Sequence, residues 1–201
     1  MIRQLTFINR AECLEGSEVV LFQKNRCAND GMDDIAWRRI RHCPEGWHHP
    51  FTYSCRVECS TTDAFGNFSP PIPANEGSVF EIRKRHDDRP VLRRIPLQEG
   101  SGISVTNRMW RGSLDVNILR DSHVLARWPG LPPMQTAHFG FDPDLWVGLG
   151  RAPQSHEPVQ KVQSVRSATR LSLRQVRTAD IVMSGGRGRP IGFHLENVNS
   201  G

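Results

Sequence analysis

The sequence is short of lysine. Three lysines stand against 23 arginines in 201 residues, so its positive charge resides in planar, forked guanidinium groups and hardly at all in flexible ammonium groups. It also lacks long apolar runs. No stretch approaches the roughly 18 apolar residues of a membrane-spanning helix, which argues against a helical membrane protein. The opening MIRQLTFINRAECLEG carries Arg3 and Arg10 but no signal-peptide core between them. The expectation is a soluble chain made in the cytoplasm, with export by a route lacking an N-terminal signal left open.

Paired cysteine motifs are missing as well. Cys13, Cys27, Cys43, Cys55 and Cys59 are odd in number and irregularly spaced, which argues against a full disulfide framework and fits a reducing compartment. The segment RHCPEGWHHPFTYSCRVEC gathers His42, Cys43, His48, His49, Cys55 and Cys59, yet it has no C-x₂-C pair of the zinc-knuckle kind. With residues 49–59 extended, Cys55 and Cys59 stand about 13 Å apart. That is too far to share an ion, and both read as small buried core residues. No metal and no cofactor is expected.

Catalytic motifs are equally scarce. There is no G-x-S-x-G elbow. The one glycine-rich loop, Ser184 to Pro190, lacks the Gly-Lys-Ser/Thr that opens the helix of a P-loop. A thiol at Cys59, close to Asp63 and Gly66-Asn67, is more simply strand-end and turn chemistry. His86-Asp87-Asp88 beside Arg89-Pro90 reads as a charged hairpin tip. The chain is therefore not expected to be an enzyme, although triads form in space and not in sequence.

What the sequence has is a period of two. In HPFTYSCRVECS, His49, Phe51, Tyr53, Cys55, Val57 and Cys59 fall on one parity while Thr52, Ser54, Arg56 and Glu58 fall on the other, the pattern of a half-buried strand. Similar short runs recur at 4–8, 18–23, 35–40, 78–83, 91–95, 103–107, 114–119, 123–127, 136–141, 145–149 and 191–198. Turn residues separate them, as at Arg120-Asp121-Ser122 and Phe141-Asp142-Pro143-Asp144. With 37% apolar and 23% charged residues, the chain can fill a core. The expected fold is all-β: a single antiparallel β-sandwich of roughly ten to twelve short strands, one domain over 1–201 with 151–201 part of the same fold. Residues 165–177 fit a strand better than a helix, because a strand puts Leu171 and Leu173 on one side and the arginines on the other.

The net charge of +5 is unevenly placed. Residues 1–100 hold 14 basic and 14 acidic side chains, 101–150 four of each, and 151–201 eight against three. Arg166, Arg170, Arg174 and Arg177, with Lys161 and with Arg187 and Arg189 around the glycine-rich loop, form a candidate surface for an anion or an acidic partner. No aromatic residue stands between 150 and 190, so nucleic acid is the less favoured partner, since such sites interleave aromatics for stacking. Trp110 and Trp128, at strand ends, are candidate ligand-surface residues, because an aromatic face with a polar handle suits sugars and membrane interfaces.

Several short motifs together resemble the small all-β, RhiA-like proteins of proteobacteria. They are Leu5–Asn9 (LTFIN), Val19–Asn25 (VVLFQKN), Ala36-Trp37, the His49–Tyr53 strand with Ser60 and Gly66-Asn67, Phe141-Asp142-Pro143, Leu145–Gly148 (LWVG), and the closing DIVMSGG and FHLENV. The resemblance implies a bacterial protein without assigned catalytic residues, in some relatives tied to quorum-controlled or host-associated expression. The arginine content and the GGRGRP loop depart from that pattern, and no functional residue is carried over. The expected function is non-enzymatic: self-association into a homo-oligomer or assembly, or binding of a partner or ligand surface. The alternatives are polyanion or nucleic-acid binding through the C-terminal arginines, and an enzyme with an unrecognised site.

Overall fold

The computed structural model describes residues 2–12, 17–27, 33–87, 89–98, 100–151 and 165–201. Its strands are β1 (Ile2–Asn9), β2 (Ser17–Phe22), β3 (Asp33–Asp34), β4 (Ala36–Ile40), β5 (His48–Ser54), β6 (Val57–Thr62), β7 (Ile72–Ala74), β8 (Ser78–Lys84), β9 (Pro90–Gln98), β10 (Ile103–Asn107), β11 (Leu114–Arg120), β12 (His123–Leu131), β13 (Thr136–Phe139), β14 (Asp144–Arg151), β15 (Arg166–Ser172), β16 (Val176–Gly186) and β17 (Arg189–Ser200). The described residues contain no helix, and so none that is long and apolar enough to cross a membrane.

The all-β class holds. The single antiparallel sandwich of ten to twelve strands does not: among the described residues 17 strands form four separate sheets. The sequence pattern misleads because alternation reports which face a side chain takes and says nothing about which strand lies alongside. The run HPFTYSCRVECS shows this. β5 ends at Ser54 and β6 begins at Val57, in a different sheet, although the alternation continues unbroken across Cys55-Arg56. Cys59 is buried as expected, but Cys55 is exposed.

The chain divides into two compact units and crosses between them four times. The first comprises residues 1–23, 35–55 and 143–201, and the second residues 24–34 and 56–142. The described part of the basic quarter belongs to the first. Each unit has one sheet built on a parallel pair. In the first unit the order is β5-β1-β16-β17, with β1 and β16 parallel; in the second it is β13-β10-β8-β9, with β10 and β8 parallel. The other sheet of each unit is antiparallel: β4-β2-β14-β15 in the first and β3-β12-β11-β6-β7 in the second. Laid side by side, β1, β2, β4, β5, β14, β15, β16 and β17 take the places of β10, β11, β12, β13, β6, β7, β8 and β9. Every neighbour relation and its sense agree. Apart from β3, which has no counterpart, the strands β1 to β9 and β10 to β17 are thus two passes of one topology, and each unit takes four of these matched strands from each pass.

A polar corner recurs with the topology. At the end of β1, Asn9 is buried; its Oδ1 accepts from the Ala11 amide (2.8 Å) and its Nδ2 donates to the Cys43 carbonyl (2.7 Å). At the end of β10, fully buried Asn107 accepts from the Met109 amide (3.1 Å) and donates to the carbonyls of Leu131 (3.0 Å) and Gly112 (3.1 Å). The main chain repeats too. Asn9 bonds the Gly46–Trp47 turn as Asn107 bonds the Met134–Gln135 turn, and the amides of Arg10 and Arg108 donate to Met183 and Ile82. A buried amide side chain that satisfies several loop groups at once fixes where the chain leaves the sheet. Around the corners lie apolar cores: Leu5, Phe7, Leu21, Trp37 and Ile181 in the first unit, and Phe80, Ile82, Val105, Ile118 and Phe139 in the second.

Candidate functional site

The C-terminal arginines do not form one patch. Arg166 and Arg170 lie on β15, Arg174 in the turn that follows, and Arg177 near the start of β16, whereas Arg187 and Arg189 flank the tip of the β16–β17 hairpin. From Arg177 to Arg187 the strand extends about 30 Å at 3.3 Å per residue, so the two groups sit at opposite ends of one hairpin. Residues 165–177 do include a strand over Arg166–Ser172, with Leu171 and Leu173 buried and Arg170 on the exposed side. Arg170 has a structural partner: its Nε donates at 2.7 Å to the buried carboxylate of Asp144. Arg187 meets Glu12 at 2.5 Å. Lys161 lies outside the described residues.

A different cluster forms at one end of the second unit. Strand directions bring four loops to that end: 63–71 after β6, 85–89 between β8 and β9, 108–113 between β10 and β11, and 132–135 between β12 and β13. Among the described residues of this unit, the large hydrophobics that stand exposed are Phe65 (90%), Phe68 (75%), Trp110 (92%) and Met134 (59%), and all four are in these loops. Exposed arginines share two of these loops: Arg85, Arg89, Arg108 and Arg111, of which Arg108 is paired with Glu81 at 3.2 Å and Arg89 with Asp87 at 3.7 Å. Trp128, the other tryptophan proposed from sequence, is half-buried on β12 opposite Val116. Scattered single apolar residues are ordinary on a protein surface, whereas four in the loops of one end make this end a candidate contact surface.

Two of these loops have features that fix their exposed side chains. Met134 has a left-handed backbone, φ 61°. The matching turn of the first unit puts Gly46 there, at φ 79°. Only glycine takes this conformation without a steric cost, so the turn holds an exposed methionine at some cost in strain. In the 63–71 loop, Asp63 Oδ1 accepts from the amides of Phe65 and Asn67, both at 2.9 Å, and Oδ2 accepts from Asn67 Nδ2 at 3.0 Å. These bonds, led by the Asn67 side chain, hold the Asp63 carboxyl below its ordinary pKa, and they fold the loop so that Phe65 and Phe68 project.

Between this loop and the start of β9 is a cleft of about 750 Å³. Among the described residues its lining is mixed: the apolar Phe68, Pro70, Ile72, Val91, Leu92 and Leu114 stand with the polar Thr61, Asn67 and Ser69 and the charged Asp63 and Arg89. Cleft size and lining match the usual small-molecule site. No cysteine or histidine lines it. Burial alone pushes the Cys59 thiol up to about 12, so it is protonated and inert at neutral pH. Among the described residues no group of three or more His, Cys, Asp or Glu side chains is placed to hold a metal ion.

The chain matches no protein-family model, no curated protein and no solved structure. The surface described above was partly visible in the sequence through Trp110. Phe65, Phe68, Met134 and Arg89 were not singled out. The available signal was a bulky apolar residue set inside turn chemistry, as in Ala64-Phe65-Gly66-Asn67, where turns ordinarily carry polar side chains.

Proposed function

We propose that this protein is a non-enzymatic binding protein that attaches to an anionic lipid surface through the loop end of its second unit. The observation that carries this reading is the gathering of Phe65, Phe68, Trp110 and Met134, all exposed, among Arg85, Arg89, Arg108 and Arg111. Aromatic rings settle at the headgroup level of a bilayer, and each arginine near an anionic surface adds about 1 kcal/mol. Withdrawing one exposed phenylalanine or methionine from water adds a further ~1.5–3 kcal/mol at full burial. The anion-binding role read from the C-terminal arginines thereby moves to a different set of arginines.

Self-association through strand edges is the weaker reading, because four of the eight edge strands among the described residues are blunted. β9 carries Pro90, Arg93, Arg94 and Pro96, β17 is irregular around Asn197 at φ 49° with register shifts along its pairing, and β3 and β7 are two and three residues long. These are the devices by which edge strands avoid pairing with other chains. An enzyme is disfavoured because the Asp63 carboxylate is taken up by its own loop and the cleft lining has no partnered nucleophile and base.

The test is co-sedimentation with vesicles of phosphatidylcholine alone and of phosphatidylcholine mixed with phosphatidylserine. Binding to the mixed vesicles that weakens as salt is raised supports the proposal. Equal recovery with both vesicle types, or none with either, overturns it.

A further inference from the structure

The cleft of the second unit is not needed for attachment to a surface, yet it is a formed cavity with a directional lining. Apolar residues of three elements line it: Ile72 of β7, Val91 and Leu92 of β9, which face opposite sides of that strand, and Leu114 at the start of β11, with Phe68 and Pro70 of the 63–71 loop beside them. The charged lining residues differ in availability. Asp63 stays anionic, but three hydrogen bonds from its own loop occupy its oxygens. Arg89 is 83% exposed and lies 3.7 Å from Asp87, beyond hydrogen-bond length. A ligand entering the cleft therefore meets an apolar floor and, at one side, a guanidinium with most of its donors facing solvent. Thr61 and Ser69 also line the space, but the Ser69 hydroxyl already accepts from the Thr61 amide at 3.0 Å.

From this arrangement we infer that the cleft binds a single amphiphile, an alkyl or acyl chain ending in a carboxylate or phosphate, with the chain along Ile72, Val91, Leu92 and Leu114 and the anionic head on Arg89. The inference goes beyond the surface reading by naming an individual ligand held apart from any bilayer, and the two fail separately.

The probes are octanoate, decanoate and dodecanoate, each below its micelle threshold, with dodecanol and dodecyltrimethylammonium as head-group controls, titrated calorimetrically into the full chain without vesicles. Affinity should rise by up to about fourfold per added methylene, as each leaves water. Arg89→Gln, at an exposed position where folding is not at risk, should weaken dodecanoate about tenfold and leave dodecanol unchanged. Val91→Trp, on an edge strand, should fill the cleft and abolish binding of both, while circular dichroism reports an unchanged fold. Absence of dodecanoate binding by the wild type overturns the inference. Equal binding of dodecanoate and dodecyltrimethylammonium, or an Arg89→Gln variant that binds dodecanoate as the wild type does, overturns the head-group assignment and with it the proposal. Attachment to anionic vesicles without dodecanoate binding would sink this inference alone; dodecanoate binding without vesicle attachment would sink only the surface reading.

Discussion

The two units share a topology and an asparagine corner, but they stabilise equivalent positions by different means. In the first unit Glu18, at the start of β2, is buried, with its side chain 1% exposed. It binds Arg39 through Oε1 and Arg41 Nε through Oε2 at 2.9 Å. The equivalent residue in the second unit is Asp115, at the start of β11, and the counterpart of Arg39 is Arg127. There both side chains are 33% exposed, the closest approach is 4.0 Å, and Asp115 also accepts from the Gly130 amide at 2.8 Å. The same pair of residue types is thus a buried lock in one unit and a loose surface contact in the other. The difference extends to the loops, since Gly46 serves a turn in the first unit where the second keeps a strained, exposed Met134. At this position the first unit relieves the left-handed turn with glycine, although it holds non-glycine residues at positive φ elsewhere, His42 of the same β4–β5 turn among them (φ 51°).

The largest test of this contrast is at the carboxylates. Glu18→Ala takes the buried acceptor from Arg39, 17% exposed, while Arg41, 54% exposed, can be resolvated, and should cost about 3 kcal/mol, whereas Asp115→Ala should cost about 1 kcal/mol or less. Urea unfolding of the two variants gives the comparison directly, and equal losses would erase the distinction. Next are the corners, where the units should behave alike. Asn107→Ala removes three hydrogen bonds and should cost about 3 kcal/mol, and Asn9→Ala, with two, about 2 kcal/mol. A loss at one corner only would show that the repeat is one of path and not of energetics.

A pH effect separates the units further. Burial raises the Cys59 thiol of the second unit to about 12. In the unfolded chain this thiol ionises near its ordinary value, so folding keeps a proton that the unfolded state releases. The stability it contributes is therefore whole below the ordinary thiol pKa and falls as pH climbs toward 12. Cys59→Ala should flatten this alkaline decline, whatever it costs in packing at neutral pH. The smallest expected change is a gain. Met134→Gly, which gives the second unit the residue type used by the first, should raise stability by about 0.5–1 kcal/mol while weakening attachment to anionic vesicles.

Much of this architecture was legible in the sequence strand by strand. Ile103–Asn107 stands where alternation put it, with Ile103, Val105 and Asn107 buried. The tight hairpin at Arg120-Asp121-Ser122 is real, with Asp121 and Ser122 both left-handed, at φ 49° and 63°, as a two-residue primed turn requires. What was not legible is partnership. β1 pairs with β16 across most of the chain, and that pairing is parallel, which no local pattern encodes. The duplication was hidden for a related reason. Equivalent positions seldom agree in identity: buried Leu5 with Phe51 answers to buried Ile103 with Phe139, and buried Ile40 to half-buried Trp128, so hydrophobic substitution hides the repeat. Of the candidate surface, Trp110 could be read from its strand-end position. Phe65 and Phe68 required the fold of the Asp63 loop, and the scattering of the C-terminal arginines required the length of β16.

The most direct measurement of the central claim compares equivalent ends of the two units in one assay. Trp47, 62% exposed in the β4–β5 turn of the first unit, is the counterpart surface. Co-sedimentation with phosphatidylserine-containing vesicles should fall by about tenfold or more in affinity for Phe65→Ala combined with Trp110→Ala, with thermal stability within about 0.5 kcal/mol of the wild type, and should be unchanged for Trp47→Ala. Attachment lost with Trp47→Ala and kept in the Phe65→Ala, Trp110→Ala variant would contradict the assignment of binding to the second unit.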